Sequence, residues 1–310
     1  MLKIENLSKS YGKFKAVEDF NLSINEGEIY GFVGPNGAGK TTIMKIMSGL
    51  LAADSGTITF GEENILKDTT KLKKTIGYMP DFFGVYDNLT VMEYLQFYSS
   101  AYGITDDVAI ARAKELLELV DLQEKADDYV DGLSRGMKQR LCLARTLVHN
   151  PDILILDEPA SGLDPHTRHQ LKFILKHLSE TGKTIIISSH ILTELSEMCQ
   201  SICIMEKGKA IMSGNIEEIL FQVDSSNPLL IHVISDINEA VAILKKNKYV
   251  RTVSVDGNNI MLTFIGRKED EAKLLKDLIE HNVLVVAFRR EQSNLESLFL
   301  KIIEKGSDFE

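Results

Sequence analysis

No apolar run in the sequence approaches the ~18 to 20 residues needed to cross a bilayer, which excludes a membrane-spanning helix. The first residues, MLKIENLSKSYGKF, lack both the apolar core and the cleavage site of a secretory signal, so the chain is expected to stay in the cytoplasm. Cysteine is scarce. Cys142, Cys199 and Cys203 are odd in number, lie inside helix or strand patterns and have no Cys-x-x-Cys or His pair beside them. They read as buried thiols in a reducing compartment, which excludes a disulfide framework and a cysteine metal site. Positive charge is also short: 35 Lys and Arg face 45 Asp and Glu, a formal net charge of −10. That balance excludes broad electrostatic attraction to nucleic acid or anionic lipid, so any attachment to a membrane has to run through a protein partner.

What is present is an ordinary globular composition, 44% hydrophobic and 26% charged, in 310 residues, which suits one large domain and a small one. Short apolar runs alternate with helical patterns up to about residue 220, as expected of a mainly parallel sheet flanked by helices. IYGFVG, ILILDEP and TIIISSH are β-branched and two-sided in their hydrophobicity, and fit buried central strands. LKIENLSKSYG and GTITFGEENI look like hairpin strands at an antiparallel β edge. A helical subdomain is expected at about 88–150, where Ala113, Leu116, Leu117 and Val120 share one face. Residues 221–228 read as a linker. Residues 229–310 then follow a β-α-β-β-α-β order, with a last helix near Leu295 to Ile303, which suggests a small α+β, ferredoxin-like domain without a chemical motif.

Two stretches are suited to holding phosphate. In GPNGAGKTT, the residues Gly34, Pro35, Asn36, Gly37, Ala38, Gly39, Lys40, Thr41 and Thr42 follow a strand pattern and open a helix pattern. Gly34, Gly39, Lys40 and Thr41 fill the G-x-x-x-x-G-K-[ST] spacing. Glycines there turn backbone amides onto phosphates, Lys40 supplies a charge, and Thr41 offers a hydroxyl to Mg²⁺. Downstream, ILILDEP ends a buried strand in two carboxylates, which are rarely buried without partners. Asp157 is expected to hold Mg²⁺, commonly through water, and Glu158 to act as general base on an attacking water. The second phosphate-suited stretch is GLSRGMKQRL, where Ser134 and Gly136 sit at a helix start whose amides and dipole favour an anion. Taken alone, Ser134 is more often a plain helix cap.

With Lys40, Asp157 and LSRGM in this order, residues 2–215 resemble the ATP-binding subunits of ABC transporters. The resemblance implies an α/β P-loop (RecA-like) nucleotide-binding domain over 1–220 that binds ATP and Mg²⁺. It implies a head-to-tail dimer in which the signature of one subunit faces the ATP of the other, which would explain two phosphate loops in one chain. The second subunit is another copy or a paralogue. The resemblance also assigns Tyr11 to stacking on adenine, the alternative being a half-buried tyrosine at a strand end. Ser161, Gly162, Leu163 and Asp164 match the loop that crosses the dimer interface, and His190 matches the histidine that contacts the γ-phosphate.

Two positions depart from the family pattern. YMPD places Asp81 where a glutamine touches Mg²⁺ and water; a carboxylate reaches the metal but donates no hydrogen bond when ionised. In the signature, Arg135 and Met137 replace Gly and Gln, while Ser134 and Gly136 remain. The resemblance further implies a separate multi-span membrane permease as partner and a peripheral location on the inner face of the cell membrane. Phe82, Phe83, Val85 and Tyr86 are the expected contact, unless these aromatics belong to the core. The signature and the added C-terminal domain look most like bacterial drug- and lipid-export ATPases, often called ABC-2. ABC ATPases that act on DNA insert a long coiled coil before the signature, for which the segment from Lys40 to Ser134 is too short, and translation factors carry two cassettes. A P-loop kinase leaves the second loop without a purpose. A binder that does not hydrolyse ATP stays open because of Asp81.

Overall fold

The computed structural model describes residues 1–61, 63–64, 66, 68–82, 84, 86, 88–219 and 228–290. The chain divides into two compact units, Met1–Asn215 and Ile216–Glu310. Among the described residues, no helix is long and apolar enough to cross a membrane.

The first unit is organised by strands that have no polar face. In β3 (Ile29–Val33), β7 (Ile153–Leu156) and β8 (Thr184–Ser189) every residue is buried, so consecutive side chains enter apolar layers on both sides of the sheet. These strands, with β6 (Ile76–Met79), β9 (Ser201–Glu206) and β10 (Lys209–Asn215), form a sheet of order β10-β9-β3-β8-β7-β6. Pairing is parallel from β9 to β6, and β10 runs antiparallel at the rim.

The antiparallel strands expected near the N-terminus are in a sheet of their own. β1 (Leu2–Tyr11), β2 (Phe14–Ile24), β4 (Ser55–Phe60) and β5 (Glu63–Asn64) take the order β2-β1-β4-β5. Here the burial alternates: Leu2 and Ile4 point inward while Lys3 faces solvent. A strand with one wet face cannot sit in the centre of a sheet covered on both sides, which is why these strands separate. Their inner face joins Tyr30, Phe32, Ile43 and Ile155 in one core, in which Phe32 meets both Phe20 and Tyr30 edge-on.

Helix α1 (Lys40–Met47) leaves β3 through a glycine-rich loop, and α2 (Thr69–Thr75) precedes β6. Between β6 and β7 lie α3 (Val91–Ala101), α4 (Asp106–Leu119) and α5 (Arg135–Thr146). Thr90 starts α3 with a reciprocal cap: its hydroxyl accepts from the Glu93 amide, and the Glu93 carboxylate accepts from the Thr90 amide at 2.8 Å. Ala113, Leu116, Leu117 and Val120 are buried together, as their spacing predicts. Helices α6 (Pro165–Glu180) and α7 (Leu192–Met198) follow β7 and β8.

In the second unit, β11 (Leu229–Val233), α8 (Ile237–Lys246), β12 (Val250–Asp256), β13 (Asn259–Phe264), α9 (Lys268–Glu280) and β14 (Val285–Arg290) realise the β-α-β-β-α-β order. The sheet is antiparallel throughout, with order β12-β13-β11-β14. That is the ferredoxin-like arrangement. Leu229, Ile231 and Val233 alternate with Leu230 and His232 and meet Leu244, Leu274 and Leu278 of the helices in a separate core. Of the expected linker only Pro228 is described, and the helix expected near Leu295 to Ile303 lies outside the described residues.

Ile155 is central to β7, the strand that carries both candidate carboxylates at its end, and it is fully buried. Ile155→Ala is expected to destabilise the first unit by about 2 to 5 kcal/mol, read as a lowered midpoint in urea unfolding.

Candidate functional site

The loop between β3 and α1 is shaped by what glycine permits. Gly39 precedes α1 with φ of 102°, a left-handed conformation that carries almost no penalty in glycine alone, and a Cβ there would stand 2.5 Å from the Ala16 carbonyl oxygen. A Cβ at Gly34 would stand 2.4 Å from the carbonyl oxygen of Met205 on β9. Gly39 also has no side chain with which to cap α1, so the first-turn amides of the helix lack an intrahelical partner and suit an external anion.

Lys40 enters this loop at 6% exposure, and its ammonium donates to the carbonyls of Gly34 at 2.6 Å and Pro35 at 3.3 Å. Burial lowers its pKa, opposed by the nearby charges of Glu158, whose carboxylate oxygen is 3.8 Å away, and Asp157. The lysine thus arrives with two backbone acceptors and an ion-pair partner while its charge is only partly compensated, a state that favours an anionic ligand.

Asp157 ends β7 at 1% exposure, and one of its oxygens accepts the Ser188 hydroxyl at 2.5 Å. The same Ser188 oxygen accepts the Glu158 amide at 2.8 Å, so one side chain from β8 fixes the position of both carboxylate residues. Glu158 has φ of 50°, which costs a residue with a side chain about 1 to 3 kcal/mol and turns its carboxylate back over the end of the sheet. There its second oxygen lies 3.0 Å from His190 Nδ1. Ser188 escaped the sequence reading; the only signal was a serine at the end of a buried strand, and only the sheet order places it beside Asp157.

An open cleft brings together Tyr11, Pro35, Asn36, Gly37, Ala38, Gly39, Lys40, Thr41, Thr42, Asp81 and Glu158. Gly34 and Asp157 are buried and do not line the cleft, and His190 reaches it through Glu158. Tyr11 is half exposed, and Phe14, which the sequence reading passed over, presents a second exposed ring to the same cleft. Tyr78, three residues before Asp81, holds a buried hydroxyl with no hydrogen-bond partner among the described residues, and burial together with the charges of Asp157 and Asp81 raises its pKa. Among the described residues no group of three or more His, Cys, Asp or Glu side chains forms a metal cage.

Ser134, Gly136 and Asp164 do not line this cleft. Ser134 caps α5, its hydroxyl accepting the Met137 amide at 3.3 Å. Asp164 caps α6, accepting the His166 and Thr167 amides and the Thr167 hydroxyl at 2.6 Å; these bonds, the hydroxyl's first, lower its pKa. The two segments are joined. Arg135 donates to the Ser161 carbonyl at 3.1 Å, and Gln139 donates to the Pro159 carbonyl at 2.9 Å. Gly162, at φ of 68°, leaves the space that the Arg135 guanidinium fills. Of the expected contact residues, Phe82 is 90% exposed, Tyr86 is half exposed with its ring 5.1 Å from that of Phe97, and Phe83 and Val85 lie outside the described residues.

Residues 17–161 match the family model for the ABC transporter. The linearmycin resistance ATP-binding protein LnrL of Bacillus subtilis (strain 168) is 35% identical, over 97% of this chain and 98% of that one. The chain belongs to the ABC transporter family. As a member it is an ATP-binding and ATP-hydrolysing subunit that works with a membrane permease and pairs with a second ATPase. The bacitracin transport ATP-binding protein BcrA of Bacillus licheniformis is likewise 35% identical, over 99% of this chain and 98% of its own. A solved dimeric ATP-binding cassette, in a post-hydrolysis state bound to ADP and Pi, matches with a TM-score of 0.64 at 27% identity, covering 70% of this chain and 99% of that one.

Since Gly39 combines a left-handed φ with a close carbonyl, Gly39→Ala in this ABC subunit is expected to cost more than the about 1 to 2 kcal/mol of the conformation alone. Thermal unfolding in the absence of nucleotide measures it; an unchanged Tm would mean that the loop relaxes freely.

Proposed function

We propose that this subunit drives export through a separate multi-span permease, with two ATP held between it and a second copy or paralogue in a head-to-tail pair. One observation carries the reading: the cleft that contains the phosphate loop contains neither Ser134 nor Gly136, the other phosphate-suited element of the same chain. An element capped and oriented for an anion, but absent from its own subunit's cleft, finds a use when it faces the cleft of a partner. The names of its relatives, for linearmycin resistance, bacitracin transport and Nod factor export, favour outward transport. The subunit then sits in the cytoplasm, peripheral on the inner face of the cell membrane and held there by the permease. No nucleic acid is a partner, in keeping with a net charge of −10.

In this reading the amides of Gly37 to Thr41 and the ammonium of Lys40 hold the β- and γ-phosphates, and Tyr11, with Phe14 beside it, stacks on the adenine. Thr41, Asp157 and Asp81 offer oxygen donors alone, which fits Mg²⁺ rather than a softer metal. Bound there, Mg²⁺ supplies neutralisation of phosphate charge. Glu158 accepts the proton of the attacking water, and its strained backbone aims the carboxylate into the cleft rather than along the strand. His190 holds the distal oxygen of Glu158 at 3.0 Å and faces the γ-phosphate, so loss of that phosphate is felt at the same contact. Asp81 adds a negative charge, where a glutamine would be neutral, beside the buried Tyr78 hydroxyl. Phe82, which follows Asp81, and the paired rings of Tyr86 and Phe97 are exposed and suited to a short apolar helix of the permease.

Glu158→Gln is expected to slow phosphate release from ATP by about 10² to 10⁴ while nucleotide binding persists. Turnover near the wild-type rate would remove Glu158 as the base and favour another proton acceptor. In the same background, trapped with Mg-ATP in gently solubilised membranes, the protein should retain a multi-span membrane protein in stoichiometric amount. Tyr86→Asp added to it should abolish that recovery; undiminished recovery would place the docking groove elsewhere, and recovery with ribosomes or DNA would overturn the transport reading.

A further inference from the structure

Glu194 lies in the first turn of α7 at 6% exposure, outside the nucleotide cleft, and its two oxygens reach in opposite directions. One accepts the Ser189 hydroxyl at 2.9 Å, and the Ser189 oxygen in turn accepts the Ile191 amide at 3.0 Å, so both neighbours of His190 are fixed to it. The other lies 3.2 Å from Nη2 of Arg168 on α6. That same nitrogen donates to the Leu163 carbonyl at 3.3 Å.

The Leu163 segment leads back to the site. The Leu163 amide donates to the Ala160 carbonyl at 3.3 Å and the Ser161 amide to the Glu158 carbonyl at 3.1 Å. Since His190 Nδ1 touches the Glu158 carboxylate, the contacts close into a ring: Glu158, His190, Ser189, Glu194, Arg168, Leu163 and again Glu158. Stability does not call for an ion pair in such a place. An apolar pair of similar volume is often as stable as a buried ion pair, whereas an ion pair with further hydrogen bonds fixes the geometry of everything it touches.

We propose that Glu194 and Arg168 are positioning residues for hydrolysis, which hold His190 and the loop 161–164 in a single register relative to Glu158. This rests on the reading of Glu158 and His190 as the hydrolytic pair. Neither residue lines the nucleotide cleft, so their effect falls on the rate and not on ATP binding. Because the loop 161–164 is also held by Arg135, a shift at α5 reaches His190 through this ion pair.

The test uses the full chain and steady-state ATP hydrolysis. Glu194→Gln keeps the size and the acceptor for Ser189 but removes the charge that holds Arg168. Its kcat is expected to fall roughly ten- to a hundred-fold, the scale of a small misplacement of catalytic groups, with KM for ATP unchanged. Added to His190→Ala, it should cause much less than its full loss, because a large part of its action runs through that histidine. Wild-type kcat in Glu194→Gln, a rise of KM that accounts for the whole defect, or a full additional loss on top of His190→Ala would each overturn the proposal. Should Glu194→Gln fail to fold, Arg168→Gln, on a side chain that is 35% exposed, takes its place with the same expected split, since the neutral amide removes the charge that pairs with Glu194. Wild-type turnover in both Glu158→Gln and His190→Ala would overturn the hydrolytic reading and this inference with it. Loss in those two variants with none in Glu194→Gln overturns this inference alone.

Discussion

The carboxylate of Asp157, at 1% exposure, sits at the end of a strand with no polar face, and the site is arranged around the need to hold that charge. A buried carboxylate has to be hydrogen-bonded or paired. Ser188, delivered by the next strand of the sheet, meets this need and in the same contact fixes the amide of Glu158. From there the remaining geometry follows: Glu158 turns through a left-handed backbone, meets His190 on one side and approaches Lys40 on the other. The parallel order β3-β8-β7 places the phosphate loop, His190 and both carboxylates at one edge, because all three strands end there. Ligands of open α/β sheets bind at that edge for the same reason.

Around this centre, rigidity comes from polar links between loops rather than from loop sequence. Arg135 and Gln139 tie the start of α5 to the segment after Glu158, and Arg168 ties that segment to α7. An ATPase whose chemistry must be felt by a distant permease needs such links, since irregular backbone without them relaxes locally and transmits little. Arg135 is instructive. At a signature position where a glycine is usual, its guanidinium fills the space left by Gly162, so the departure from the family pattern has a compensating partner in the same chain.

Several features were legible from the residues alone. The glycine spacing of the phosphate loop, the two carboxylates ending an apolar strand, the amphipathic face of Ala113, Leu116, Leu117 and Val120 and the succession of strands and helices along the second unit all depend on local chemistry or on short periodicities. Ser188, Phe14, Gln139 and Arg168 were not legible. A serine on a strand or an arginine on a helix carries no local mark of its partner. Each acquires its role from a residue distant in sequence, through the sheet order or helix packing. Likewise LKIENLSKSYG read correctly as an antiparallel strand, yet its assignment to a separate sheet depended on which core its apolar face met.

The sequence by itself determined which backbone conformations were available and which groups could bind phosphate, because glycine at Gly39, a lysine at a helix start and acids at a strand end are constraints of single residues and their neighbours. It also determined the family and, through it, the chemistry. Only the tertiary structure decided which partner meets each charged group: Ser188 for Asp157, His190 and Lys40 for Glu158, and Arg168 for Glu194. The reason is physical. Desolvation makes a buried charge depend on whatever the fold brings within about 3 to 4 Å of it, and that distance is set by packing between elements, not by their order along the chain.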